Sequence, residues 1–205
     1  MSGRMAAALA TVAMVCLGPG VGAAAPPAGE VLALNGQCMV AAGVPPVALK
    51  QGDAIHVGDS VTCPAGAKVK LRMSDGSVIS VAPGSRLTVA TYDASGGHRD
   101  ARLTLAAGLL RAVVAAVGGP SHFEVDTATG VAAVRSTDWF IEARPGVTQV
   151  GVLAGIVTLT SAATGHSVAI PARQGARVNK GKDPARPRVW RKAQFDEVIA
   201  RTTLK

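Results

Sequence analysis

The sequence predicts an all-β fold, a short β-roll or β-helix-like stack of short strands with one small C-terminal helix. Three observations carry this. Between Lys68 and Val81, apolar Val69, Leu71 and Met73 alternate with basic Lys68, Lys70 and Arg72; Asp75-Gly76 then interrupts, and Ile79 and Val81 resume. Elsewhere the apolar runs are short and cut by Gly, Pro, Asp, Ser or Thr, the punctuation of strands and corners. Aromatic residues are scarce, with 3 Phe, 1 Tyr and 2 Trp against 24 Gly, a composition that favours turns and short strands over a helical bundle.

Taken in order, Glu30 to Val40 is expected to form the first strand pair, with Asn35-Gly36 as its turn or bulge. Gln51 to Val61 contains two Gly-Asp steps, Gly52-Asp53 and Gly58-Asp59, each followed by an alternating apolar position. That doublet predicts successive short strands with sharp corners. The Lys68–Val81 segment is a hairpin turning at Asp75-Gly76. Pro83-Gly84 makes another corner, Leu87 and Val89 a strand, and Asp93 to Asp100 a polar loop. Leu103 and Leu105, then Leu109 to Val117, continue the pattern around Gly108. A helix over Ala106–Ala116 is disfavoured by Gly108 and the β-branched pair Val113-Val114. Further strands are expected at Phe123–Val125, Val131–Val134, Trp139–Ile141, Val147–Leu153, Ile156–Leu159 and Val168–Ile170.

Beyond Pro171 the composition changes. Ten basic and three acidic residues lie between Arg173 and Lys205, whereas residues 24–172 hold ten of each, so the tail carries the net charge of the mature chain. Asp183-Pro184 and Arg186-Pro187 break regular structure. Phe195, Val198, Ile199 and Thr202 then recur at helical spacing, predicting a linker and a short helix docked through Trp190 and Phe195.

At the other end, Arg4, the apolar run Met5–Leu17 and the small residues Val21, Gly22 and Ala23 read as a signal peptide cleaved after Ala23. The run is shorter than the roughly 20 residues a membrane span requires. The expected organisation is therefore a signal peptide over 1–23, a β domain over 24–178 and a basic, Pro-containing tail with a short helix over 179–205. The compartment implied is the periplasm. There, Cys38 and Cys63, the two cysteines of the mature chain, are candidates for a disulfide. Spacing alone does not show whether their Cβ atoms meet, and two separate buried thiols is the alternative.

The motifs in sequence resemble the FecR domain, the periplasmic part of regulators that relay siderophore-receptor occupancy to a sigma factor. The resemblance rests on Gln51-Gly52-Asp53 with Val57-Gly58-Asp59 and Val61-Thr62, on Lys70 to Ser77, on Leu103 to Leu110 around Gly108, and on Phe123 to Thr127. Arg135 to Phe140 stands where the family has an Arg-Gly-Thr-x-Phe element, with Ser136 in place of its Gly. Val152 to Val157 stands where it has Glu-Gly-x-Val. The resemblance covers about residues 30 to 178 and implies a compact stack of short strands. Where a full regulator of that family also has anti-sigma and receptor-contacting parts, this chain departs from it and is expected to be a FecR-like module without them.

Most of these motif residues have architectural chemistry. Gly52, Gly58, Gly76 and Gly155 permit backbone conformations that a Cβ penalises, and Asp53, Asp59 and Asp75 can accept backbone N–H bonds at their corners. Motifs for catalysis are missing: the four His are scattered, no Cys-x-x-Cys or Gly-x-Ser-x-Gly occurs, and no Gly-rich phosphate loop is followed by Lys. No metal or cofactor is expected. The segment Thr137-Asp138-Trp139-Phe140 is the candidate binding site, because it sets a polar pair beside two aromatics in a chain with few. Strand alternation predicts that only one of the two rings points inward. The expected function is a non-enzymatic periplasmic binding or scaffold module in envelope signalling, with an envelope carbohydrate or peptidoglycan binder as the alternative. Partners would be an envelope protein or polysaccharide, with the basic tail able to touch an anionic membrane surface. Nucleic acid is not expected, since the basic residues are not interleaved with stacking aromatics.

Overall fold

The computed structural model describes residues 26–42 and 45–204, so the expected signal peptide and its cleavage site lie outside the described residues. The described residues form seventeen strands and one helix. The strands form an open, mixed sheet that folds over on itself into two faces, and both faces share a single long strand, β9 (Arg99–Val113).

The first face runs β4 (Ala54–Ile55), β1 (Gly29–Asn35), β6 (Lys68–Met73), β7 (Val78–Val81), the second half of β9, β12 (Asp138–Arg144), β13 (Val147–Ala154), β16 (Gln174–Asn179) and β17 (Arg188–Val189). The second runs β3 (Val47–Ala48), β2 (Met39–Ala41), β5 (Ser60–Cys63), β8 (Ser85–Asp93), the first half of β9, β10 (Ser121–Asp126), β11 (Gly130–Val134), β14 (Ile156–Ser161) and β15 (Ser167–Pro171). In sequence the chain passes back and forth between the faces, which is the winding of a roll. Pairing is antiparallel except between β9 and β10.

The hydrophobic core lies between the faces and includes Val31, Ile55, Val69, Leu71, Ile79, Leu103, Leu105, Phe123, Trp139, Ile141 and Val150. Short strands alternate strictly enough to fill it: Val69, Leu71 and Met73 are buried while Arg72 is exposed.

At Gly108 the alternation changes phase. Ala101, Leu103 and Leu105 point into the core before it, and Leu110, Ala112 and Val114 after it. A residue at φ +94° absorbs the offset as β9 crosses from one face to the other. Ser85 packs against this glycine; its Oγ accepts from Leu109 N at 2.9 Å and donates to Leu109 O at 3.2 Å, satisfying the irregular backbone.

One sequence expectation is corrected. Glu30–Val40 is not a strand pair, because β1 pairs with β4 and β6 whereas β2 pairs with β3 and β5. The Asn35-Gly36 corner, with Gly36 at φ +71°, carries the chain from one face to the other. The reason is that burial across the two faces outweighs the local hairpin signal.

The Lys68–Val81 hairpin and the expected later strands are present, and Cys38 and Cys63 form a disulfide with Cα atoms 4.4 Å apart. The bridge ties the loop before β2 to the end of β5.

The tail is more ordered than a linker. β17 adds to β16, and α1 (Lys192–Thr202) packs on the outer side of the first face. There Trp190 and Phe195 meet Phe140, with ring centroids 5.3 and 6.2 Å away, over Leu109, Ala82 and Val198. Gly151 and Gly175 are direct neighbours across β13 and β16. A Cβ on Gly151 would overlap Phe140 and one on Gly175 would overlap Trp190, so the two glycines form the bed in which these rings lie.

Candidate functional site

The two Gly-Asp corners are built alike. The Asp53 carboxylate accepts from Lys50 N and the Asp59 carboxylate from His56 N, each at 2.7 Å, while Gly52 and Gly58 sit at φ +87° and +93°. Each corner thus needs a left-handed glycine followed by an acceptor that caps the turn's first N–H.

At Asp75-Gly76 the order is reversed: Ser77 N, two residues on, donates to Asp75 Oδ1 at 2.8 Å, and Gly76 sits at φ +84°. The Asp75 carboxylate goes further. Only 1 % of the Asp75 side chain is exposed, and it is paired with the fully buried Arg99 guanidinium at 2.6 Å. Tyr92 Oη donates to Asp75 Oδ1 at 2.7 Å and Ser77 Oγ to Oδ2 at 2.7 Å. Burial pushes the Asp75 carboxyl up, but the donors from Arg99, Tyr92 and Ser77 outweigh it and hold the group below its ordinary 3.8. The Tyr92 phenol is pushed far up, first by burial and then by the adjacent carboxylate.

Arg99 also donates to Ala115 O at 2.8 Å, to Ser121 Oγ at 2.6 Å and to Arg135 O, and its guanidinium lies 5.5 Å from the centre of the Phe123 ring. Its Nε alone has no acceptor among the described residues. One side chain therefore fastens the β6–β7 turn, the starts of β9 and β10, the 114–120 loop and the 135–137 connection. Sequence reasoning identified Asp75 as a turn residue and missed Arg99. A basic residue at an inward position of an alternating strand was the available signal.

The candidate segment 137–140 is placed as follows. Thr137 is buried and its hydroxyl donates to Ile156 O at 3.3 Å. Asp138 accepts two bonds from Arg111, at 2.9 and 2.8 Å, in a fork on the outer side of the first face. Trp139 fills the main core, and Phe140 points to the opposite side. Alternation holds, yet Phe140 is only 1 % exposed because the tail covers it. Neither ring is available to a ligand while the tail is docked; Trp139 and Phe140 pack the fold. What the segment offers to solvent is the shallow groove of ≈ 470 Å³ lined by Arg135, Ser136, Thr137, His122 and the exposed Ile156.

Other charged groups are mostly paired. Along the parallel β9–β10 seam, Asp100 meets His122 at 2.9 Å, Glu124 meets both His122 and Arg102, and Asp126 meets Arg102. The hydrogen bond to Asp100 raises His122 above its ordinary 6.5; burial opposes the rise, and the hydrogen bond to Glu124 adds to it. On the other face Glu142 joins Arg144 and Arg201, each at a separation of 2.8 to 2.9 Å. Among the described residues no three His, Cys, Asp or Glu side chains gather as metal ligands would. Another concave region lies at the tail, a pocket of ≈ 340 Å³ lined by Arg177, Arg186, Arg188, Gln149, Gln194 and Trp190.

A two-faced roll of short strands wound around one crossing strand, with its polar residues fixing corners, defines the class of protein. Residues 59–158 match the family described as FecR protein, and the chain carries a FecR domain. The fold is similar to two crystal structures of a candidate anti-sigma factor from Parabacteroides distasonis. In one the identity is 14 % and the TM-score 0.55, in the other 15 % and 0.56. In both, the likeness covers 67 % of this chain and 62 % of that one, so the chain spans less than two thirds of the length of those structures. At such identity the likeness shows the fold alone. No curated protein matches the chain.

Proposed function

We propose that the chain is a non-enzymatic FecR-type binding module exported to the periplasm, where it engages an envelope protein in signalling. The observation that carries this reading is the FecR domain over residues 59–158. The way its functional groups are used supports it. Asp53, Asp59 and Asp75 cap turns and Asp138 and Glu142 hold arginines, so these acids are engaged in fixing the fold. The groove beside Ser136 and Thr137 is open and shallow, suited to a protein surface rather than to enclosure of a small molecule.

The test is site-specific photo-crosslinking from Ile156, which is 60 % exposed at that groove, in intact cells, with cell fractionation alongside. The expected result is an envelope signalling protein captured by a mature chain in the periplasmic fraction. Capture of peptidoglycan or another polysaccharide instead would overturn the signalling reading, and a cytosolic chain would overturn the export.

A further inference from the structure

We propose that the corner where β16, β17 and the start of α1 meet is a binding site for phosphate-monoester groups. Three arginines, Arg177, Arg186 and Arg188, line one pocket of ≈ 340 Å³. Elsewhere among the described residues Arg86, Arg135, Arg173 and Arg191 also stand without an acid, whereas six arginines are matched: Arg72 to Glu30, Arg99 to Asp75, Arg102 to Glu124, Arg111 to Asp138, and Arg144 and Arg201 to Glu142. The three pocket arginines have no such partner among the described residues. Nor do the tail's own acids supply one, because Asp183 pairs with His166, Asp196 with Lys192 and Glu197 with Arg201.

Three like charges around one concavity repel one another, and a bound dianion removes that repulsion while gaining charge-assisted hydrogen bonds. Guanidinium forks match the oxygens of a tetrahedral phosphate, and a phosphomonoester supplies nearly two charges where a carboxylate supplies one. The other walls suit the same ligand. Gln194 Oε1 accepts from Arg191 N at 2.9 Å, which leaves its amide N–H groups as donors. Trp190 is held against the Gly175 backbone as a fixed wall, and the volume leaves room for part of the carrier beyond the phosphate. The pocket is made by the fold and not by charge content alone. Strand pairing sets Gly175 of β16 beside Arg188 of β17, and Ala185 N donates to Arg177 O at 2.8 Å, which brings the segment before β17 alongside Arg177.

The test uses the full mature chain titrated with inorganic phosphate by calorimetry, at ionic strength held constant with chloride. It is repeated by co-sedimentation with vesicles of phosphatidylcholine alone or containing phosphatidic acid. The variants are R177Q/R188Q, the single R186Q on the exposed loop, and R173Q/K192Q, which removes two positive charges outside the pocket. Saturable phosphate binding is expected, weakened at least tenfold in R177Q/R188Q, at least threefold in R186Q and less than twofold in R173Q/K192Q. Vesicle binding that needs phosphatidic acid, and that free phosphate displaces, identifies a lipid headgroup as the source. Phosphate binding without vesicle binding identifies a soluble phosphomonoester. Equal weakening in R177Q/R188Q and R173Q/K192Q, or no saturable phosphate binding, overturns the proposal.

Discussion

Replacing Arg99 by Met tests whether one buried ion pair holds this module together. The guanidinium and the Asp75 carboxylate are 0 % and 1 % exposed, and the pair is 2.6 Å apart. Met fills similar space and removes every donor, so Asp75 keeps its burial and loses its counter-charge. Ala115 O, Ser121 Oγ and Arg135 O lose a donor as well. Breaking a buried pair on one side costs about 3–5 kcal/mol, a large part of the roughly 5–15 kcal/mol that holds a domain folded. With a urea slope of about 2 kcal/mol per M, the unfolding midpoint falls by about 1.5–2.5 M with the slope unchanged.

The same pair fixes the pH dependence. Asp75 titrates below 3.8 when folded, so its contribution is complete above that value and disappears as pH falls through the lower folded one. In R99M the remaining burial pushes the carboxyl up. The stability gap between the two proteins is therefore widest near neutrality and narrows in acid. Adding D75N to R99M removes the orphaned charge, so the double variant is more stable than the sum of the single losses by at least about 1 kcal/mol. A loss below about 1 kcal/mol in R99M, or a gap that widens on acidification, refutes the reasoning.

Other consequences are as direct. Reducing Cys38–Cys63, which closes a separation of 25 residues, lowers stability by about 3.5 kcal/mol in the chain-entropy description, measurable by urea unfolding with and without reductant. G108A places a Cβ 2.5 Å from Ser85 Cα at a backbone φ of +94° and costs about 2–4 kcal/mol, whereas S85G/G108A recovers part of it. G175A pushes the Trp190 indole off its bed, so Trp190 emission shifts to the red and protease cleaves first within 180–192, while Trp139 stays protected; unchanged emission would show that the ring is not seated there. His122 titrates above 6.5 because Asp100 and Glu124 favour its charged form, so what stability it adds is present below that value and lost as pH rises through the folded one. In proton NMR its ring signals should titrate above 6.5 and move back toward that value in D100N.

How much could be read from the chain differs between its parts. The β6–β7 hairpin was legible because alternation and an Asp-Gly turn point the same way within fourteen residues, and local signals of that kind need no partner. The docked tail helix was legible for a similar reason: Phe195 and Val198 lie on one side of an otherwise charged segment. The fate of Phe140 was not. Alternation correctly set Trp139 and Phe140 on opposite sides of β12, but whether the outer side meets water depends on Trp190, fifty positions later. The 137–140 segment therefore looked like a recognition site where two of its four residues in fact pack the fold.

From its own residues, then, the sequence determined the β class, the Gly-Asp corners, the alternation of the β6–β7 hairpin and the FecR resemblance. These follow from periods and turn chemistry that act over a few positions. Only the tertiary structure decided that Asn35-Gly36 passes between faces instead of closing a hairpin, that Arg99 is buried on Asp75, and that Arg177, Arg186 and Arg188 share a pocket. Each of these is a meeting of residues far apart along the chain. Such meetings are chosen by which faces bury together and which charges must then be matched, and a local period carries no information about either.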